Sequence, residues 1–294
     1  MQTLKKNMIN IYGDKAKIWL ANLPKRILQI EANYGLSNLQ PVKNLSHNYV
    51  LSGFQGRQAI ILKLGLDLDG FKREANALKA FAKFGVVKVL AENEGMLLLE
   101  RAIPGDALKS YFPKQDGAAI RICTQCLIQL HKAPLPEPNI FPHIKDWLAL
   151  LDKNWDIPES YLKKARQLRD NLLQTSNKAV LLHGDLHHDN ILQSQDGYLV
   201  IDPKGVIGEP AYEVAAFIRN PLSLFEKIQQ PYDVKTLIQN RVIHFSELLN
   251  LPSQRILDWC FVQAVLAWVW ALEDQGDVTY FKNLTALFEN DIHV

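Results

Sequence analysis

The sequence predicts an α+β chain of two lobes: a small β-rich lobe over residues 1–100 and a larger, mostly helical lobe over residues 101–294. Three observations carry this expectation. Short β-rich runs separated by turn residues crowd residues 40–100. Pro104-Gly105 marks a change of texture, beyond which helical periodicity dominates. A length of 294 residues suffices for two modest cores.

Taken in order, residues 1 to about 35 carry Ile18, Trp19, Leu23, Ile27 and Ile30 at three- and four-residue steps, a helical pattern expected to break at Pro24. Val42-Lys-Asn-Leu45, Tyr49-Val-Leu51 and Ala59-Ile-Ile-Leu-Lys-Leu64 read as strands, with Gly53-Phe-Gln-Gly56 as a hairpin signal. Residues 71–84 read as a charged amphipathic helix. Val86-Val-Lys-Val-Leu90 and Met96-Leu-Leu-Leu-Glu100 read as strands around the turn Glu92-Asn-Glu-Gly95. Past the lobe boundary near 101–105, residues 117–130 form a helix and Pro134-Leu-Pro-Glu-Pro138 a loop. Residues 180–182, Ile191-Leu192 and residues 198–201 are short strands bracketing a polar loop, and from Ala211 onward helices dominate.

Apolar content of 48%, charged content of 22% and a net charge of +2 describe an ordinary globular chain. They give no electrostatic argument for nucleic acid or for a membrane surface, and leave room for a local acidic pocket that takes a cationic small molecule. The start Met1-Gln-Thr-Leu-Lys-Lys-Asn7 has no apolar stretch or cleavage site, and no run of eighteen apolar residues occurs, so a cytoplasmic location is expected. Cys123-Thr-Gln-Cys126 matches C-x-x-C but reads as two small side chains on one helix face, since no second Cys/His pair completes a site. Neither monomer nor homodimer is indicated.

The chemistry is concentrated in His183-Gly-Asp-Leu-His-His-Asp-Asn190 and Ile201-Asp202-Pro203. Phosphoryl transfer from a nucleotide needs a carboxylate to orient the acceptor hydroxyl and hard oxygen ligands for Mg²⁺. Asp185, Asn190 and Asp202 have the order and spacing of such a set. Asp185 is the candidate catalytic residue; Asn190 and Asp202 are the candidate metal ligands. Lys63 ends a β-run, and Glu74 lies eleven residues on in the next helix, so the pair fits a lysine held against nucleotide phosphates. The Ser52–Gly56 turn and the earlier Leu45–Tyr49 segment could lie over nucleotide phosphates, and the Ser46–Asn48 turn could offer N–H groups or a hydroxyl to phosphate oxygens. Glu100-Arg-Ala102, at the lobe junction, could present main-chain groups to an adenine edge. His183 reads as a loop-bonding residue, and His187 and His188 as packing or surface groups. Lys204 is expected to form an ion pair in its loop, the alternative being contact with the transferred phosphate. Glu213 can cap the catalytic loop from a helix start, and Arg219-Asn-Pro221 can tie that helix down. Trp259, Phe261, Trp268 and Trp270 at helical spacing read as core. Glu273, Asp274 and Asp277 sit where a helix dipole disfavours carboxylates, which admits either a solvated turn or a site for a cationic substrate.

His183-Gly-Asp-Leu-His-His-Asp-Asn-Ile-Leu192, Ile201-Asp-Pro-Lys-Gly205, Gly208-Glu-Pro-Ala-Tyr-Glu213 and Arg219-Asn-Pro221 resemble the aminoglycoside phosphotransferase family. Within it they look most like the streptomycin 6-kinase and hydroxyurea phosphotransferase branch, as do Leu97-Leu-Leu-Glu-Arg-Ala-Ile-Pro-Gly105, Ile256-Leu-Asp-Trp259 and Leu272-Glu-Asp274. The resemblance covers about residues 40–280. It implies a bilobal protein-kinase-like fold, ATP with Mg²⁺, and O-phosphorylation of a small molecule such as a streptomycin-like aminoglycoside. It also implies Asp185 as catalytic aspartate, Asn190 and Asp202 as Mg²⁺ ligands, and Lys63, held by Glu74, on the ATP phosphates. The alternatives are a metabolic kinase for choline, homoserine or a sugar-like acceptor, and a non-catalytic nucleotide-binding protein.

Overall fold

The computed structural model describes residues 2–43, 45, 47–221, 233–290 and 292. Helices α1 (Gln2–Tyr12) and α2 (Asp14–Tyr34) cover one face of a five-stranded antiparallel sheet. Its strands are β1 (Leu36–Pro41), β2 (Tyr49–Gln55), β3 (Gln58–Leu64), β4 (Val89–Asn93) and β5 (Met96–Glu100), in the order β1-β2-β3-β5-β4. The N-terminal helical run breaks at Gly13, where φ is +55°, and continues unbroken through Pro24. An interior proline costs about 3 kcal/mol. Leu23 and Ile30, buried on either side of it, each return roughly 1.5–3 kcal/mol by covering the sheet. Gly35, with φ +62°, ends α2 by donating to the Glu31 carbonyl and turns the chain straight into β1.

That turn explains why the first strand precedes Val42–Leu45. Leu36 to Pro41 is poor in β-branched residues, yet it pairs with β2 from Leu36↔Gln55 to Pro41↔Leu51, so pairing overrides propensity. Val42 keeps one bond to the Val50 carbonyl, at 3.0 Å, before the chain leaves the sheet. Val86 and Val87 likewise stay outside β4. Val87 N–H instead donates to the Val200 carbonyl, at 3.1 Å, which ties the two lobes together.

Period-two alternation sorts the sheet faces. Ile60, Leu62 and Leu64 of β3 and Met96 and Leu98 of β5 pack against α1 and α2. Ile61, Leu97 and Leu99 face the other way, into the core shared with α3 (Leu68–Ala80) and the C-terminal lobe. Lys63 lies on that second face. Helix α3 starts where the Asp67 side chain accepts from Gly70 N–H, at 2.9 Å, an N-cap worth about 1 kcal/mol.

The C-terminal lobe comprises α4 (Asp116–Leu130), α5 (Ile144–Leu148), α6 (Glu159–Gln174), α7 (Pro210–Ile218), α8 (Val234–Leu249), α9 (Ser253–Glu273) and α10 (Thr279–Asn290). Two small sheets join them: β6 (Val180–Leu182) with β9 (Val206–Gly208), and β7 (Ile191–Ser194) with β8 (Gly197–Val200). Helix α9 is long and apolar enough to cross a membrane by composition, but it is the central core helix, packed against α6, α7, α8 and α10. Trp259, Phe261 and Trp268 are buried along it. Cys123 and Cys126 are free thiols on α4, both held protonated by burial, which pushes Cys126 up to about 12.

Candidate active site

Hairpin register builds the centre of the site. Ile191 of β7 pairs with Val200 of β8, so the residues just outside the hairpin are Asn190 and Ile201. Ile201 N–H donates to the Asn190 carbonyl at 3.0 Å, and Asp202 follows directly. Asn190 and Asp202 thereby become neighbours. Asp202 has φ +58°, a left-handed conformation that costs a side-chain-bearing residue roughly 1–2 kcal/mol. Its carboxylate accepts from Lys63 Nζ at 3.1 Å, and Glu74 Oε2 accepts from the same Nζ at 2.6 Å.

These three groups form a network in which Lys63 and Glu74 are buried and Asp202 is partly exposed. Burial alone would depress the Lys63 ammonium, but the Asp202 and Glu74 carboxylates outweigh it and raise its pKa, so it stays charged. Burial pushes Glu74 up to about 7, against the pull of Lys63. Burial also opposes ionisation of Asp202, but the Lys63 charge prevails and lowers its pKa.

The loop of residues 183–190 is fixed from behind. His183 is fully buried; its Nδ1 accepts from Asp185 N–H at 3.2 Å and its Nε2 lies 2.8 Å from the Ile201 carbonyl. This pairing assigns the proton to Nε2, and burial lowers the ring to about 4, so it is neutral. Glu213, in the first turn of α7, accepts from His183 N–H at 2.6 Å and Gly184 N–H at 2.9 Å. Burial raises Glu213 to about 7 despite those donors. Helix α7 begins at Pro210, three residues before Glu213. His188 is buried, not exposed: its ring stacks on Phe217 with centroids 3.8 Å apart. It lies 3.8 Å from Asp116, which takes Arg241 bidentately at 2.6 and 2.8 Å. Arg219 donates to Gln263 of α9 at 2.6 Å, which ties the end of α7 to the core helix.

Two cavities adjoin at Trp147 and Lys204, and one of them opens on this loop. The sheet-side cavity, of 410 Å³, is lined by Asn48, Lys63, Arg73, Glu74 and Asp202 among others. The helix-side cavity, of 640 Å³, is lined by Asp185, His187, Arg219, Trp270, Asp274 and Phe281 among others. Trp147 and Lys204 line both. Trp147 and Trp270 meet edge to face, with centroids 6.0 Å apart, and wall the helix-side cavity.

The donor set suits Mg²⁺. Asn190 spends its amide nitrogen on the Asp185 carbonyl, at 3.0 Å, and the Asp202 side chain is 43% exposed at the sheet-side cavity. An amide oxygen and a carboxylate are hard ligands, and few protein ligands suffice for an ion that keeps waters and phosphate oxygens.

Other expected residues divide. Asn48 lines the sheet-side cavity, whereas Ser46 lies outside the described residues. Ser52 to Gln55 belong to β2 and do not line the cavity, so the hairpin turn does not cover it. Glu100 spends its N–H on the Lys88 carbonyl and its carboxylate on Lys88 N–H, both at 2.9 Å. Ala102 is buried, and among the described residues its main-chain N–H and C=O have no hydrogen-bond partner. Asp274 lines the helix-side cavity; Glu273 and Asp277 do not, and Asp277 instead accepts from Thr279 N–H at 2.9 Å at the start of α10. Lys204 forms no salt bridge among the described residues, contrary to the expected loop ion pair; its charge acts on Asp202 through space. Arg73 and Trp147 are cavity residues that sequence reading missed. Arg73 directly precedes Glu74, which was a usable signal; Trp147 sits in α5 with none.

A family model described as aminoglycoside/hydroxyurea antibiotic resistance kinase matches residues 37–275. Streptomycin 3''-kinase of Klebsiella pneumoniae is 30% identical over 194 residues, covering 65% of this chain and 71% of that protein. Streptomycin 6-kinase of Streptomyces griseus is 23% identical over 277 residues, covering 89% of this chain and 87% of that one. In fold, the chain is similar to the aminoglycoside phosphotransferase APH(4)-Ia in a ternary complex with ADP and hygromycin B. That likeness has a TM-score of 0.67 at 14% identity and covers 89% of this chain and 96% of that one. It is also similar to the choline kinase LicA of Streptococcus pneumoniae, with a TM-score of 0.65 at 16% identity, covering 92% and 98%. On the match over residues 37–275, the chain belongs to the aminoglycoside/hydroxyurea antibiotic resistance kinase family and is a phosphotransferase with the kinase-like fold.

Proposed function

We propose that this chain transfers the γ-phosphoryl group of ATP, with Mg²⁺, to a hydroxyl of a small molecule, and that the acceptor is a streptomycin-like aminoglycoside. The observation that carries this is the meeting of two cavities at Trp147 and Lys204, one holding Lys63 and Asp202 and the other Asp185. Lys63, locked by Glu74 and Asp202, holds nucleotide phosphate oxygens. The unpaired main-chain groups of Ala102 fit an adenine edge. Asn190 and Asp202 would hold the metal ion, which would neutralise negative charge on the transferred phosphoryl group. Asp185 aims the acceptor hydroxyl and accepts its proton as the new P–O bond forms.

The acceptor assignment rests on the helix-side cavity. Its volume suits a drug-sized molecule. Trp147 and Trp270 offer aromatic faces and Asp274 a carboxylate, a combination that attracts guanidinium or ammonium groups. The test is ADP release and product mass over a panel of streptomycin, other aminoglycosides, choline, homoserine and hydroxyurea. Streptomycin-like acceptors are expected to lead in kcat/KM. A lead for choline or homoserine would make this a metabolic kinase. ATP binding with no phosphorylated product from any acceptor would make it a nucleotide-binding protein.

A further inference from the structure

We propose that Lys204 is a catalytic residue whose ammonium contacts the phosphoryl group in flight. The proposal rests on the phosphotransfer reading above and deepens it by naming the cation that acts at the seam between the cavities.

Four observations point to Lys204. Among the described residues, it is the cationic side chain that lines both cavities. Arg73 lines the sheet-side cavity alone, and Arg219 lines the helix-side cavity while donating to Gln263. Lys63 is buried and shared by two carboxylates, so its charge is already engaged by Glu74 and Asp202. Lys204 has no such commitment: it is exposed and forms no salt bridge among the described residues.

Its position is also built. Lys204 N–H donates to the His183 carbonyl at 2.7 Å, and Gly205 N–H to the same oxygen at 3.2 Å. The chain beneath Lys204 is therefore tied to the loop that carries Asp185. Gly184, with φ +84°, lets the two segments close: a Cβ there would meet Trp147 at 3.0 Å, Val206 at 3.1 Å and the Lys204 Cβ at 3.2 Å. Any larger residue at 184 would push the lysine stem and Trp147 away from Asp185.

In the step, the acceptor oxygen forms a bond to the γ-phosphorus and the bond from that phosphorus to the β–γ bridging oxygen breaks. The hydroxyl proton passes to the Asp185 carboxylate, and ADP leaves with the electron pair of the broken bond. Lys204 makes no covalent bond. Its ammonium faces the equatorial oxygens as they move from one cavity to the other, where electrostatic help is worth most.

The test compares wild type, Lys204→Met and Lys204→Arg in ADP release, in binding of a non-hydrolysable ATP analogue, and in lysine acylation read by peptide mass. Lys204→Met is expected to lower kcat by about 10²–10³-fold, the usual size for losing one aimed charge or donor. Analogue affinity and both KM values should move less than threefold, roughly 0.6 kcal/mol. Lys204→Arg should recover part of kcat. In wild type, the analogue with Mg²⁺ should protect Lys204 from acylation. A kcat within threefold of wild type for Lys204→Met, a loss confined to ATP affinity, or undiminished acylation would each overturn the proposal. If no acceptor supports turnover, the small-molecule kinase reading fails on its own. Hydrolysis of ATP to water then decides for Lys204, because the same P–O bond breaks: a fall with Lys204→Met sustains the proposal, and an unchanged or absent rate overturns it.

Discussion

The two cavities differ in how they are held. The sheet-side cavity is wired by charge: Lys63, Glu74 and Asp202 are linked at 2.6 and 3.1 Å in a largely buried network. The helix-side cavity is walled by packing: Trp147, Trp270 and Phe281 shape it, and Asp274 is an exposed carboxylate at its edge. Rigidity is needed where the bound group does not vary. Nucleotide phosphates are the same in every turnover, so fixed charges suit them. An acceptor is recognised by shape and a few polar contacts, so aromatic walls suit it.

The charged side should break hardest. Lys63→Met leaves Glu74 and Asp202 without their shared cation, and removing one partner of a buried pair costs about 3–5 kcal/mol. Glu74, already raised to about 7 mainly by burial, relieves part of this by taking a proton. The stability loss, measured by urea unfolding, should therefore be larger at pH 8 than at pH 6, and ATP-analogue affinity should fall with it. An equal loss at both pH values would mean that Glu74 is not the responding group.

Acid should loosen the helical lobe. His131, His183 and His188 are each lowered to about 4, first by burial. Their folded pKa lies below the unfolded value, so between pH 6.5 and about 4 the unfolded chain binds protons that the native state refuses. Stability is present above pH 6.5 and lost as the pH falls toward 4. Trp147, Trp155, Trp259, Trp268 and Trp270 all lie in this lobe, so tryptophan fluorescence reports it. Glu74 and Glu213, raised to about 7 by burial, oppose this by taking up protons over the same range, so the melting temperature is expected to drop by roughly 5 °C between pH 7 and pH 5. A melting temperature that rises toward pH 5 would contradict burial of the neutral imidazoles.

The walled side should respond in affinity alone. Trp270→Ala removes half of the aromatic corner and should raise KM for a cationic acceptor about tenfold, the scale of a desolvated cation–π contact, with ATP KM unchanged. Asp274→Asn should raise the same KM only about two- to fivefold, because an exposed ion pair is worth less than about 1 kcal/mol. A larger effect from Asp274 than from Trp270 would reverse the comparison and make the acceptor cavity another charge-built site.

The wired side was legible in the sequence and the walled side was not, for a physical reason. Asp185, Asn190 and Asp202 flank one short hairpin, so local spacing carries their geometry. Lys63 and Glu74 follow from strand alternation into the next helix. The helix-side cavity draws on α5, α9 and α10, on the segments that carry Asp185 and Lys204, and on the turns after α7 and α9, which only tertiary packing brings together. Trp147 therefore gave no signal, and the acidic run of Glu273, Asp274 and Asp277 looked like one site although only Asp274 reaches the cavity. Pro24 misled because composition shows a missing N–H but not the burial of Leu23 and Ile30 that offsets it. Lys204 misled because a loop carboxylate partner was assumed where two cavities open instead.

The most direct test measures ADP and phosphorylated acceptor in one vessel, for wild type and Asp185→Asn, beside binding of a non-hydrolysable ATP analogue. Wild type should form one phosphorylated acceptor per ADP, and Asp185→Asn should lose about 10²–10⁴-fold in that rate while binding the analogue normally. Full turnover by Asp185→Asn, or loss of nucleotide binding in its place, would contradict transfer from the sheet-side cavity to a hydroxyl held at Asp185.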